Sequence, residues 1–119
     1  MDFSFTRDDR SQRLVCIFRD AGLSGIVTAA DAAAAGADLL MALDDVRDTG
    51  FGECFWPEAG GEFRWMLRRT GQRLTVVALW SSGTLTGWQH VLRAETDVET
   101  FSAHVRQRLS YFNSSSRRD

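Results

Sequence analysis

Hydrophobic and polar positions follow two rhythms along this 119-residue chain. Asp2 to Thr6 alternates, placing Phe3 and Phe5 on one side, and polar residues Arg7 to Ser11 separate it from the apolar run Leu14 to Phe18. A run that short and β-branched predicts a strand, so the two segments form a hairpin. Asp20-Ala21-Gly22 breaks the pattern, and Leu23 to Val27 reads as a third strand that Gly25 interrupts with a bulge. The rhythm then changes. Thr28 stands three residues before Asp31, a spacing suited to capping a helix start. Gly36, Leu39, Leu40, Leu43 and Val46 then share one face of a helix running to about Asp48. Gly50 suits the left-handed residue beyond its end. Ala32 to Gly36 are small enough for that helix to lie close against a sheet.

From Phe51 the alternation returns. Gly71-Gln72 predicts a two-residue type II′ turn, which sets Phe63 opposite Trp80, Trp65 opposite Ala78, Leu67 opposite Val76 and Arg69 opposite Leu74. One face is then almost wholly apolar. A register shifted by one residue would set Glu62 against Trp80 and Arg68 against Leu74, mixing charge into both faces. Ser81 to Thr86 reads as a loop and Gly87 to Ala94 as a last strand. Thr96-Asp97-Val98-Glu99 has the form of a capping box, and Val98, Phe101, Val105, Leu109 and Phe112 make the stripe of a second helix. Residues 1–112 read as a single domain and 113–119, with nothing to bury, as a flexible tail. The element order predicts an α+β fold: a mainly antiparallel β-sheet of six or seven strands with two helices packed on one face.

Composition narrows the function classes. With 14 basic against 16 acidic residues, the net charge of −2 supplies no strong field for nucleic acid or an anionic membrane. Every basic residue is Arg, and this, beside alanine runs, points to a GC-rich bacterial genome. No apolar run approaches the length of a membrane span and no leader pattern precedes a cleavage site, so a cytoplasmic location is expected. Cys16 and Cys54 lack any CxxC spacing and read as buried reduced thiols.

Parity along the hairpin of Phe63 and Trp80 separates two candidate surfaces. Phe63, Trp65 and Trp80 turn toward the core. Glu62, Arg64, Met66 and Arg68 turn the other way and neighbour Arg73, Thr75, Val77 and Leu79. Apolar side chains interleaved with Arg and Glu resemble a protein interface, where Arg and Met are enriched and Lys is depleted. Trp56, beside Pro57 at a turn, is a further candidate anchor, or else belongs to the core or covers the sheet edge. The candidate partner-binding set is therefore Trp56, Glu62, Arg64, Met66, Arg68, Val77 and Leu79.

Catalytic signatures are weak. Cys54, Trp88 and His90 are candidates for a pocket between helices and sheet, with His90 placed on the apolar side of its strand and His104 on the helix surface. Two distant histidines without HExxH assemble no zinc site. No nucleophile elbow, P-loop or GxGxxG is present, and neither a metal nor a cofactor is implied. Arg68, Arg69 and Arg73 cluster at one turn, but the register puts Trp65 on the side opposite Arg68 and Arg73, so a stacking platform for nucleic acid is not built.

The stretch GECFWPEAGGEFRWMLRRTGQRLTVVALW, followed by GWQHVLRAETDVETFSAHVRQRL, resembles small uncharacterised bacterial proteins, including immunity-like proteins associated with polymorphic toxins. The similarity covers roughly residues 50 to 112 by strand and helix organisation. It implies a non-enzymatic module that binds another protein, such as a toxin, and it carries no set of functional residues with it. The residues alone keep two further readings open: a small-molecule site or modest enzyme, and a homodimer through the open sheet face.

Overall fold

A computed structural model of the chain describes residues 2–8, 10–20, 22–83 and 87–116, with residues 110–116 as backbone only. The elements follow as β1 (Asp2–Asp8), β2 (Arg13–Asp20), β3 (Leu23–Ala29), α1 (Ala32–Thr49), β4 (Phe51–Glu58), β5 (Gly61–Thr70), β6 (Arg73–Ser81), β7 (Gln89–Asp97) and α2 (Val98–Ser116). The fold is α+β and all strand pairs are antiparallel. The strands form two sheets, β1-β2-β3 and β4-β5-β6-β7, where the pattern led us to expect one. The division follows from α1, which carries the chain away from β3 before β4 begins, whereas no helix intervenes between the strands within each sheet.

Gly25 does not mark a bulge. The β2–β3 register runs unbroken from Leu14 opposite Ala29 to Asp20 opposite Leu23. The glycine instead permits a close approach, since a Cβ there would lie 3.1 Å from the Val91 carbonyl oxygen in β7. Beyond the far end of β3, the Ala30 N–H donates to the Pro57 carbonyl at 3.4 Å. β3 thus crosses the four-stranded sheet from β7 toward β4. Arg13 and Thr28 of the first sheet both donate to Glu58 of β4, whose side chain is only 7% exposed.

The helix starts use different residues from those expected. Asp31 caps α1, accepting from the Ala34 N–H at 3.2 Å, while Thr28 stays within β3. Asp97 caps α2, accepting from the Thr100 N–H at 2.9 Å, while Thr96 stays in β7 opposite Leu74. In both cases the carboxylate immediately before the helix can reach the first-turn amides, and the threonine upstream is held by the sheet. Gly50 ends α1 as expected, at φ 89° with its N–H on the Val46 carbonyl. α2 continues to Ser116, past the expected end at Phe112, and residues 117–119 of the expected tail lie outside the described residues.

One hydrophobic cluster joins both sheets and both helices. Phe18 meets Trp65 with ring centroids 5.2 Å apart, Trp56 meets Trp65 at 5.1 Å, and Phe3 meets Phe101 of α2 at 4.9 Å. Trp56 and Trp65 are both fully buried. Each such ring removes about 150–250 Å² from water, a transfer gain of roughly 4–6 kcal/mol at about 25 cal/mol per Å². α1 lies so tightly on β4 that a Cβ at Gly52 would fall 2.1 Å from the Ala42 carbonyl oxygen. Small residues at Gly52 and Ala42 make this contact possible, whereas Gly36, in the stretch expected to lie against the sheet, faces Leu109 of α2.

Candidate functional site

The β5–β6 register matches the expected one at all four positions: Phe63 opposite Trp80, Trp65 opposite Ala78, Leu67 opposite Val76 and Arg69 opposite Leu74. Gly71, at φ 60°, supplies the left-handed residue that opens a type II′ turn. Gly52, Cys54 and Trp56 pair with Leu67, Trp65 and Phe63, so they share this inner face and α1 lies against it.

The alternate residues of the same four strands form an outer face in three registered rows. The first row reads Phe51, Arg68, Thr75 and Glu95 from β4 to β7. The second reads Glu53, Met66, Val77 and Arg93, and the third Phe55, Arg64, Leu79 and His90. Met66, Val77 and Leu79 lie at the centre, and most charges lie toward the edges. Phe51, Phe55 and Trp88 remain 37–38% exposed.

Arg64 is the most constrained side chain on this face. Its Nε and Nη2 both donate to Glu53 Oε2, at 3.0 and 2.5 Å. Its guanidinium carbon lies 5.6 Å from the Phe55 ring centroid and 5.7 Å from that of Trp88. Phe55 and Glu53 from β4, with Trp88 from just before β7, therefore hold a cation that still has 26% of its side chain exposed. On β7, Glu95 is shared by Arg73 at 3.2 Å and Arg93 at 3.6 Å.

A bulge decides where His90 goes. Ala78 pairs with Leu92 but Leu79 pairs with His90, so Val91 is the extra residue and parity reverses below it. His90 consequently faces outward and is exposed, not inward as plain alternation from Leu92 implies. Trp88 lies over the same outer face, 6.1 Å from Phe55 between ring centroids. Cys54 points into the core, where burial, with smaller contributions from Asp38 and Glu53, pushes its thiol up to about 12. The expected pocket of Cys54, Trp88 and His90 is not assembled, because its members lie on opposite faces of one sheet. A cleft of about 320 Å³ at the end of α1 is lined by Asp44, Arg47, Asp48, Arg69 and Glu99 and includes none of the three. Arg69 in that cleft is occupied with the carbonyls of Val46, Arg47 and Gly71, which closes the end of α1.

The partner-binding candidates divide. Glu62, Arg64, Met66, Arg68 and Val77 stand on the outer face with partial or full exposure, and Leu79 sits at its centre only 7% exposed. Trp56 is no surface anchor: it is fully buried and its indole N–H donates to the Ala35 carbonyl at 3.1 Å. Sequence reasoning missed Glu53, Phe55 and Arg93, and assigned Trp88 elsewhere. Pairing Glu58 with Gly61 across the Ala59-Gly60 turn would have revealed the first two, since it fixes the parity of β4. His104 is half-buried against Phe3, with ring centroids 4.3 Å apart.

Among the described residues no group of three or more His, Cys, Asp or Glu is placed to hold a metal ion. Nor is any helix among them long and apolar enough to cross a membrane. Both cysteines are buried and unbridged. Comparison with protein-family models, with curated proteins and with solved structures finds no match.

Proposed function

We propose that the chain is a non-enzymatic protein-binding module whose recognition surface is the outer face of β4 to β7. The observation that carries this reading is the setting of Arg64, held by Glu53, Phe55 and Trp88 beside the apolar centre Met66, Val77 and Leu79. An Arg fixed before binding loses little conformational freedom on docking, and Arg, Met and aromatic residues are the types enriched where interfaces draw their energy. In this reading α1 and α2 both serve the Trp65 side of the sheet and leave the Arg64 side to a partner. The partner class is that of immunity-like proteins, which neutralise a toxin by binding it in the cytoplasm. A nucleophilic role for Cys54 gains no support, since it is a buried thiol that stays protonated near neutral pH.

Co-purification with a tagged chain from its own cells tests the surface. Arg64→Glu combined with Arg68→Glu preserves the circular dichroism spectrum and loses the partner that the unaltered chain retains. A partner held equally by both proteins removes this face from the binding site.

A further inference from the structure

The register that builds the outer face also makes it complementary to itself. Resting on the protein-binding reading, we infer that this face pairs with a second copy of the chain, about a two-fold axis running along the strands between β5 and β6. Such an axis lays β4 over β7 and β5 over β6 of the second copy, row upon row. Glu53 then meets Arg93 of the second copy, and Arg93 meets its Glu53. Met66 meets Val77, and Phe55 meets His90. In the middle row opposite charges oppose one another at both edges of an apolar centre, while in the outer rows Glu95 meets Phe51 and Arg64 meets Leu79.

The alternative with the axis across the strands is worse. A two-fold axis across the strands at the Glu53 to Arg93 row sets Glu53 on Glu53, Arg93 on Arg93 and Arg64 on Arg68, repulsions that the along-strand axis avoids. Stacked sheets lie about 10 Å apart and cross at roughly 30°, which displaces an edge residue by about 4 Å along the strand. That offset is within reach of Arg93, whose side chain is 61% exposed and only loosely paired with Glu95 at 3.6 Å. Both bonds from Arg64 end on Glu53 Oε2, so Oε1 is the oxygen left for the second copy.

Size sets the expected strength. The six positions at which all four strands are registered cover roughly 20 by 20 Å, so the two faces together cover about 800 Å² in plan. Stable interfaces bury about 1,200–2,000 Å², which makes this a weak, concentration-dependent dimer.

Sedimentation velocity from low micromolar to several hundred micromolar chain tests the pairing. The unaltered chain moves from monomer to dimer across that range. Glu53→Arg and Arg93→Glu each weaken the dimer at least about tenfold, as loss of a close charge pair does. Combining the two substitutions restores it, because the swapped charges again oppose. A monomer at every concentration overturns the inference, as does a dimer indifferent to the single substitutions or one that the double substitution fails to restore. Should Glu53→Arg unfold through loss of its Arg64 bond, Val77→Arg at the apolar centre must likewise leave a monomer, and a dimer there counts against the pairing. These outcomes concern self-association alone; the fate of a co-purified partner in the Arg64 and Arg68 variant bears separately on the surface.

Discussion

The two faces of the β4 to β7 sheet are made from alternate residues of the same strands, and each contains a tryptophan, yet they solve opposite problems. On the inner face Trp56 and Trp65 are fully buried, among Leu67, Leu74, Val76 and Ala78 with no exposure. On the outer face Trp88 is 38% exposed and rests beside Arg64 and Phe55. The inner face derives its strength from area removed from water, and is indifferent to charge because it holds almost none. The outer face leaves apolar atoms open to water and surrounds them with fixed ions, an arrangement with little value to the isolated fold. The contrast teaches that the rings of this hairpin region are not one cluster with one role. Strand parity divides them.

Substitutions on the two faces test that division, beginning with the largest effect. Trp65→Ala lowers the stability measured by urea unfolding by about 3–5 kcal/mol, the range for truncating a large core ring. Met66→Ala, one residue along but on the outer face, changes it by less than about 1 kcal/mol. Equal losses at the two positions would break the comparison.

Alkaline titration follows. Burial raises the Cys54 thiol from 9.0 to about 12, so folding favours its protonated form. The contribution is fully present below pH 9 and is lost as the pH rises toward about 12, up to roughly 4 kcal/mol in all. The same burial makes Cys54 slow to react with iodoacetamide at pH 8, at a rate that follows global unfolding. Fast labelling of the folded chain would place this thiol outside the core.

A smaller effect separates the two inner tryptophans. The Trp56 N–H is bonded to Ala35, whereas the Trp65 N–H is buried and has no acceptor among the described residues. Both Trp→Phe changes open similar space, but only Trp56→Phe discards a hydrogen bond, so it costs about 1 kcal/mol more than Trp65→Phe. Smallest is the effect of Arg64→Glu with Arg68→Glu on the unfolding midpoint, within about 0.5–1 kcal/mol after loss of the exposed Glu53 pair. A large loss of stability there would make Arg64 a structural residue.

Much of the fold was legible because its causes are local. The Gly71 turn and the apolar parity of residues 63 to 67 and 74 to 80 predicted the central register without reference to the rest of the chain. The α1 stripe and the α2 stripe from Val98 to Leu109 were equally plain, as was the Gly50 end of α1, while the side chain of Phe112 lies outside the described residues. The caps were placed three residues early at Thr28 and one early at Thr96, because spacing alone cannot tell which of two nearby oxygens the sheet has already engaged. Half of the candidate surface was readable from β5 and β6. Trp56 stayed open between anchor and core or edge cover because proximity to Pro57 and a turn says nothing about depth; the turn lies at the edge of the core, and the ring reaches inward to α1.

What the sequence determined by itself is the alternation that gives each strand an apolar and a mixed side, and the turn that aligns β5 with β6. Tertiary structure decided the rest: two sheets instead of one, β3 crossing on Gly25, and the Val91 bulge that sends His90 outward. The physical reason is range. Turn geometry and side-chain parity act over a few residues, while a bulge, a backbone contact at Gly25 or the seating of α1 on Gly52 depends on surfaces that meet only after the chain has folded.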